Sequence, residues 1–298
     1  NQAFCAADWL AIHYQKKVVK TLQGGHVAAF LTAVGYLTYT DLLSTPLMIG
    51  GIISLMLFAV VNNALAVRGS WQRKYLDYRT LAEGLRVQFY WAAAGVTSGS
   101  VSKYAHDNFL QMQDTELGWI RNVMRVAGME CDVAPNLDPQ GVQFAVQEWI
   151  GDDKSGQLGY YRKKSAQRIV EHDSTMRIGR LGIWTTIIAL ATLLFVGSAL
   201  SDEVRTPVVY LMGIVMLTVG VRQSYAKTTA EAELIKQYEF MHRIFRNARK
   251  RIDNADNDGD KRRILKILGD AALEEHAQWI LIHRERSIDE KEGLKLGG

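Results

Sequence analysis

Apolar residues are concentrated in two blocks of the sequence, and most of the charge lies between and after them. The first block runs from about Val27 to Val67, and its second half, Leu47–Val67, contains no charged residue. A helix needs about 20 apolar residues to cross the hydrocarbon core of a bilayer. This half therefore predicts a membrane span, whereas the first half reaches that length only when Gly24–Leu43 is counted.

The second apolar block repeats this plan. Ile183–Leu200 is uncharged, residues 201–206 form a polar turn, and Pro207 opens an apolar run that ends at Val221. Proline suits the first turn of a helix because its φ is fixed and its missing N–H is not needed there. Four runs in two adjacent pairs predict two transmembrane hairpins. The alternative is a pair of hairpins buried in a large soluble bundle.

The basic residues beside the apolar blocks predict how the hairpins are oriented. Lys and Arg are enriched on the cytoplasmic side of membrane spans. Both blocks have basic flanks, whereas the hairpin tips are nearly neutral, with Asp41 in one and Asp202, Glu203 and Arg205 in the other. Both termini and the middle region are therefore predicted to be cytoplasmic. The flanking residues include Lys16, Lys17, Lys20, Arg68, Arg73, Lys74, Arg177, Arg180 and Arg222.

The remaining sequence predicts helices, because no segment alternates apolar and polar residues as a strand does. The predicted fold is all-α: a membrane protein with two transmembrane helical hairpins, four spans in all, and a cytoplasmic helical bundle. Helices are predicted over Trp71–Trp91 and Val101–Val126, with a loop at residues 95–100 between them. The predicted sections are an N-terminal cytoplasmic helix (1–23), the first hairpin (24–67), a cytoplasmic helical region (68–177), the second hairpin (178–222) and cytoplasmic C-terminal helices (223–298).

A weak internal repeat links the two halves of the chain. Tyr75 and the later segment Ala82-Glu83-Gly84-Leu85-Arg86 follow the first hairpin. Tyr225 and Ala232-Glu233-Leu234-Ile235-Lys236 follow the second. The match is consistent either with chance or with a duplicated unit of hairpin plus cytoplasmic helix.

The net charge, the cysteines and the first residue of the sequence limit the class of protein and its compartment. A net charge of +4 argues against a dedicated nucleic-acid binder. Cys5 and Cys131 lie far apart and are expected to be free thiols in a reducing compartment. The chain begins at Asn1 without a Met, so an upstream domain is expected.

Candidate chemistry is sparse. Asn254–Asp260 resembles the start of a calcium-binding loop, but Leu265 stands where a bidentate Glu is needed, so a turn between helices is predicted. His276 and His283 are seven residues apart, a spacing that favours surface or interface histidines over zinc ligands. No nucleophile motif, Cys-x-x-Cys pair or carboxylate pair in an apolar setting is apparent. The sequence therefore predicts neither an enzyme nor a metal or cofactor site.

Neutral polar and small residues are the notable features inside the apolar blocks. Small faces let membrane helices approach closely, and amides hydrogen-bond between them. Such residues serve either as contacts within one chain or as subunit contacts and pore lining. The absence of charge within the spans argues against a proton-coupled transporter or a voltage sensor. The candidates are Asn62, Asn63, Gly51, Ser54, Thr185 and Thr192.

Three cytoplasmic stretches carry a family resemblance: Leu81–Trp91, Glu116–Arg121 and Ala272–Arg286. They resemble the membrane regions of bacterial proteins whose N-terminal part is a SLOG nucleotide-sensing domain, including those akin to the sensor of TRPM channels. Those regions are related to the SLATT-type two-transmembrane effectors of antiphage defence. The resemblance covers most of residues 70–290.

The resemblance implies a membrane effector of the bacterial inner membrane. An upstream domain would sense a nucleotide second messenger raised during infection, and the membrane helices would then oligomerise and leak ions. The expected partners are the lipid bilayer, further copies of the chain and, through the upstream domain, a nucleotide. The alternatives are a non-conducting membrane anchor or scaffold and, third, a membrane-bound hydrolase or nuclease.

Overall fold

The computed structural model describes residues 2–96, 117–129 and 138–295, and within these ranges it contains helices and turns but no strand. The predicted all-α fold is therefore confirmed for this part of the chain. Most of the predicted helix Val101–Val126, most of the predicted loop at 95–100 and the predicted free thiol of Cys131 lie outside the described residues.

Nine α-helices are present in the described ranges. A π-helical turn, Ala145–Ile150, continues α5, and a 3-10 turn, Gly197–Ala199, follows α6. The helices are α1 (Gln2–Asp41), α2 (Pro46–Arg68), α3 (Trp71–Ala94), α4 (Gly118–Met129), α5 (Pro139–Phe144), α6 (Gly156–Val196), α7 (Asp202–Thr228), α8 (Glu231–Asp253) and α9 (Asp258–Lys295).

One predicted section boundary lies inside a helix, and one helix begins earlier than the sequence predicts. The predicted N-terminal helix and the first hairpin leg are one continuous helix of 40 residues, α1. Pro207 does not open the returning helix, because α7 already begins at Asp202. Asp202 and Glu203 lie in its first turn, where carboxylates interact favourably with the helix dipole. The predicted turn between α8 and α9 is confirmed, and there the Asp260 N–H donates to Asn257 Oδ1 over 2.9 Å.

The order of the helices recurs along the chain, but not in the register of the predicted repeat, because Tyr75 lies on α3 and Tyr225 on α7. A 40-residue helix, a returning helix and a third helix, α1–α2–α3, recur as α6–α7–α8, in which α6 has 41 residues. The joint before each third helix is a non-glycine residue with positive φ, Ser70 at 49° and Ala230 at 51°. Aligning these two joints shifts the repeat by ten residues, so that Tyr75 no longer pairs with Tyr225. The pairs in the new register include Tyr78 with Tyr238, Leu85 with Phe245 and Arg86 with Arg246.

The chain divides into two compact units. The hairpin unit consists of Lys17–Gly69 and Ser165–Lys236. The bundle unit consists of Asn1–Lys16, Ser70–Lys164 and Gln237–Gly298. Both long helices, α1 and α6, begin in the bundle unit and continue into the hairpin unit.

The core of the bundle unit is built around α3 and α9. Trp91 is buried, and its indole N–H donates to the Leu265 carbonyl on α9 over 3.0 Å. Gly269 faces the same ring, and a Cβ there would lie 2.5 Å from two of its carbons. Tyr90 stacks on Trp149 with the ring centroids 5.5 Å apart, and Trp149 meets Phe245 of α8 edge-on. Apolar burial and ring packing therefore hold this unit together.

The hairpin unit is held by contacts between pairs of helices. Asn62 of α2 donates to the Thr21 carbonyl of α1 over 2.9 Å. On α1, the Thr38 hydroxyl is 2.8 Å from that of Tyr210 on α7. Gly182 of α6 lies so close to Val219 of α7 that even a Cβ would overlap the valine side chain. These contacts place α1 beside both α2 and α7, and α7 beside α6.

Candidate functional site

Three helices of the hairpin unit, α2, α6 and α7, are long and apolar enough to cross a membrane. Fully buried residues make up 0%, 17% and 6% of their most apolar stretches, so few of these apolar residues are fully covered by the rest of the described chain. These helices fit a membrane-embedded protein, because so much exposed apolar surface is unfavourable in water. The predicted fourth span, in the second half of α1, is not among them. That stretch includes His26 and several Tyr and Thr residues, which lower its hydropathy.

One narrow seam joins α2 to the rest of its unit. No residue of α2 is fully buried. Asn62 lies in the seam, where its amide bonds to Thr21, and Ile52 faces Gly35 on α1. The partly buried residues of α2 recur at alternating steps of four and three, which is the spacing of a coiled-coil seam. They are Met48, Ile52, Leu55, Ala59, Asn62 and Ala66.

The other polar candidates in the apolar blocks are not brought together with Asn62. Asn63 is exposed, and nothing lies within 4 Å of the position that a Cβ on Gly51 would take. The Ser54 hydroxyl donates to the Gly50 carbonyl of its own helix over 2.8 Å. On α6, the Thr185 hydroxyl donates to the Leu181 carbonyl, and the Thr192 hydroxyl donates to the Ile188 carbonyl. Of these candidates, Asn62 is the one whose side chain bonds to another helix of the described chain.

The basic flanking residues differ in their surroundings. Arg222 is half-buried and pairs with Glu231 of α8 over 3.1 Å, and Glu231 is only 3% exposed. Thr175 of α6 also donates to Glu231, over 3.4 Å. The Lys74 ammonium lies over the Tyr14 ring, 5.5 Å from its centroid, and Arg73 is 3.9 Å from Asp77. The remaining flanking residues are Lys16, Lys17, Lys20, Arg68, Arg177 and Arg180, all exposed except Lys17, which is partly buried.

The bundle unit contains a cluster of charged groups that the sequence analysis missed. Glu83 of α3 accepts from Arg79 over 2.6 Å and from Arg86 over 2.7 Å. Arg86 is also 3.8 Å from Asp8 on α1. A cavity of about 20 Å³, enough for about one water molecule, adjoins Glu83. It is lined in part by Gln157, Tyr161, Glu275 and His276.

The two carboxylates at this cavity have opposite pKa shifts. Burial alone would raise the pKa of Glu83, but the charges of Arg79 and Arg86 outweigh burial and lower that pKa to about 2. Burial raises the pKa of Glu275 to about 7, and the negative charge of Glu83 adds to the rise while a hydrogen bond with Gln237 opposes it. Glu83 is therefore charged near neutral pH, whereas Glu275 takes up and releases a proton there.

This cluster bears on two sequence-based interpretations. Glu83 and Glu275 line the same cavity, an approach of two carboxyl groups that the sequence does not predict. His276 is buried, with 9% exposure, so of the two predicted settings, surface or interface, it does not have the first. The spacing Arg79-x-x-x-Glu83-x-x-Arg86 was a usable signal for the first half of the cluster. Within the described residues, no group of three or more His, Cys, Asp or Glu side chains could hold a metal ion.

Comparisons with family models, with curated proteins and with solved structures return no match for this chain. The resemblance to SLOG-associated membrane regions thus remains a prediction that rests on the three sequence stretches.

Proposed function

We propose that this protein is a membrane effector that inserts two helical hairpins, assembles with copies of itself and permeabilises the bilayer under the control of its cytoplasmic bundle. The bacterial inner membrane, the nucleotide signal and the role in antiphage defence are parts of the proposal that come from the family resemblance alone.

The uncovered apolar surface of α2, α6 and α7 is the observation that carries this proposal. Exposed side chains such as Leu47 (86%), Phe195 (81%) and Leu194 (78%) gain from burial in hydrocarbon and are unfavourable in water. A soluble bundle would have buried these faces against one another.

The second half of α1 is the proposed fourth span, and with it the chain has two transmembrane hairpins. Two hydroxyl groups of this span are compatible with lipid because each has a hydrogen-bond partner. The Thr38 hydroxyl donates to the Val34 carbonyl and meets Tyr210, and the Thr40 hydroxyl donates to the Leu37 carbonyl. The flanking cations, including Lys20, Arg68 and Arg180, favour a cytoplasmic location for both ends of each hairpin.

Permeabilisation is tested with purified full-length protein in liposomes loaded with a self-quenched dye. We expect dye release that rises steeply with the protein-to-lipid ratio, because the leak requires several copies. Addition of candidate nucleotides tests the signal separately. Liposomes that stay sealed at every ratio, with and without nucleotide, would contradict an effector role while leaving membrane insertion intact.

A non-conducting anchor is the second candidate, and one observation favours it. Ser54, Thr185 and Thr192 all donate to carbonyls of their own helices, so their hydroxyl protons are not available to line a pore. An anchor predicts that the double variant Asn62→Leu, Asn63→Leu keeps full cellular activity. An effector that depends on these amides predicts that activity is lost.

A further inference from the structure

One face of α2 is uncovered and regularly patterned. We call it the outer stripe: Ile49, Ile53, Met56, Val60, Asn63 and Val67. Its members alternate steps of four and three along the helix, as in a coiled-coil seam. The five apolar members are between 41% and 65% exposed, and Asn63 is exposed as well. The stripe is separate from the seam that packs on α1.

Asn63 is the single polar member of this stripe. Among the described residues its side-chain amide has no hydrogen-bond partner, unlike Asn62. Asn63 lies six residues from Leu57, the middle of α2, which is about 9 Å along the helix and inside the roughly 15 Å half-thickness of the hydrocarbon. An amide at that depth is costly without a partner. A partner for Asn63 therefore has to come from outside the described chain.

We propose that the outer stripe is the seam between two copies of this chain and that the two Asn63 amides hydrogen-bond to each other across it. This proposal rests on the membrane insertion proposed above. Two copies inserted in the same direction are related by an axis along the membrane normal, so each stripe meets its own equivalent. An amide both donates and accepts, which makes it complementary to an identical amide.

The apolar members agree with a helix pair. Ile53, Val60 and Val67 occupy one heptad position, and all are β-branched, as is common at that position in parallel two-stranded coiled coils. Ile49 and Met56 share the other position with Asn63. Interhelical contact of this kind gives close side-chain packing, which is a main source of helix association in lipid.

A second uncovered face of α2 is the rival surface. It contains Gly51 and Ser54, whose small side chains would also permit close approach. However, the Ser54 hydroxyl already donates to the Gly50 carbonyl, so this face has no unmet polar group that calls for a partner. The outer stripe is therefore favoured over the small-residue face.

Disulfide cross-linking in membranes distinguishes the two faces. Single cysteines are placed in the full chain after Cys5→Ala and Cys131→Ala, at Ile53 and Val60 in the outer stripe and at the adjacent controls Ser54 and Val61. Membranes are first washed with alkaline carbonate to retain only inserted protein. We expect Ile53→Cys and Val60→Cys to form disulfide-linked dimers and the controls to stay monomeric.

A second variant tests the amide itself. Asn63→Leu, combined with Val60→Cys, should weaken dimerisation about threefold to thirtyfold, the usual range for an interhelical amide bond in lipid. Asn63→Gln should retain most of it. The proposed seam would be contradicted by cross-links confined to Ser54→Cys and Val61→Cys, or by the absence of cross-links at every position. It would also be contradicted if Asn63→Leu left the amount of dimer unchanged. If the carbonate wash releases the protein, the proposed membrane insertion is wrong, and this result is distinct from a failure of the seam.

Discussion

Glu83 and Glu275 show how neighbouring charges decide the protonation of two similar residues. Glu83 lies between two guanidinium groups, which keep it charged and lower its pKa to about 2. Among the described residues no guanidinium group lowers the pKa of Glu275, so burial and the charge of Glu83 raise it to about 7. Nearby, burial also raises the pKa of Tyr161, and the Glu83 charge raises that of Arg79. Glu275 is thus the carboxyl of this cluster that titrates near neutral pH.

The variant Glu275→Gln should change how stability depends on pH. The folded protein holds the Glu275 proton up to a pKa of about 7, against an ordinary value of 4.5, so its contribution to stability is full below pH 4.5 and is lost as the pH rises through 7. The neutral amide avoids this loss. We expect the variant to be more stable than the wild type by roughly 1–3 kcal/mol at pH 8 and by less than about 1 kcal/mol at pH 5.

Thermal unfolding of detergent-solubilised protein at the two pH values measures this difference. Glu274→Gln is the matched control, because Glu274 is exposed on the same turn of α9 and should show no pH-dependent gain. An advantage of Glu275→Gln that is the same at pH 5 and pH 8 would contradict a proton held by Glu275.

The sequence could reveal only half of this cluster. Arg79, Glu83 and Arg86 are spaced for ion pairs on one helix, a local rule that any reader of the sequence can apply. Glu275 and His276 come from α9, and Tyr161 from α6. Their approach to Glu83 depends on how three helices pack, and no periodicity of a single helix contains that information.

At the scale of helices, Gly182 sets how closely α6 and α7 pack. Added atoms at Gly182 would overlap Val219, whose β-branched side chain has little freedom to move. We expect Gly182→Ala to destabilise the protein by about 1–3 kcal/mol through overpacking. Gly220→Ala is the control, because nothing lies within 4 Å of the position that a Cβ would take there and alanine is the better helix former.

Thermal unfolding of both variants in the same detergent measures the contrast. We expect the midpoint to fall for Gly182→Ala and to stay level or rise for Gly220→Ala. Equal midpoints for the two variants would mean that α6 and α7 do not pack at Gly182 in the protein.

The helices show where sequence patterns succeed and where they fail. Hydropathy identifies α2, α6 and α7 as candidate spans because membrane-length apolar runs are rare in other contexts. The start of α7 was placed at Pro207, but a proline is tolerated after a first turn whose carboxylates, Asp202 and Glu203, already favour a helix start. The predicted section boundary at residue 24 lies inside α1, since a glycine in a helix costs only about 1 kcal/mol and packing easily outweighs that.

At the scale of the whole molecule, the recurring order of helices constrains the proposed crossing of the membrane. Each repeat begins in the bundle unit with a helix of about 40 residues, turns once, and returns to the bundle unit through a positive-φ joint, Ser70 or Ala230. Since both repeats start and end in the same unit, both hairpin tips should lie on the same side of the bilayer. This holds only if α1 crosses the membrane as α6 does.

The native thiol of Cys5 tests that requirement directly. Cys5 is exposed near the start of α1, and with Cys131→Ala it is the single thiol of the chain. If α1 spans the bilayer, a membrane-impermeant maleimide should label Cys5 in spheroplasts only after permeabilisation. In a chain without native cysteines, Ser44→Cys and Ser201→Cys, at the two tips, should be labelled in intact spheroplasts. If α1 does not cross, Cys5 and the cysteine at position 44 lie on the same side of the membrane and give the same labelling result. That result would contradict the two-hairpin topology, even with α2, α6 and α7 inserted.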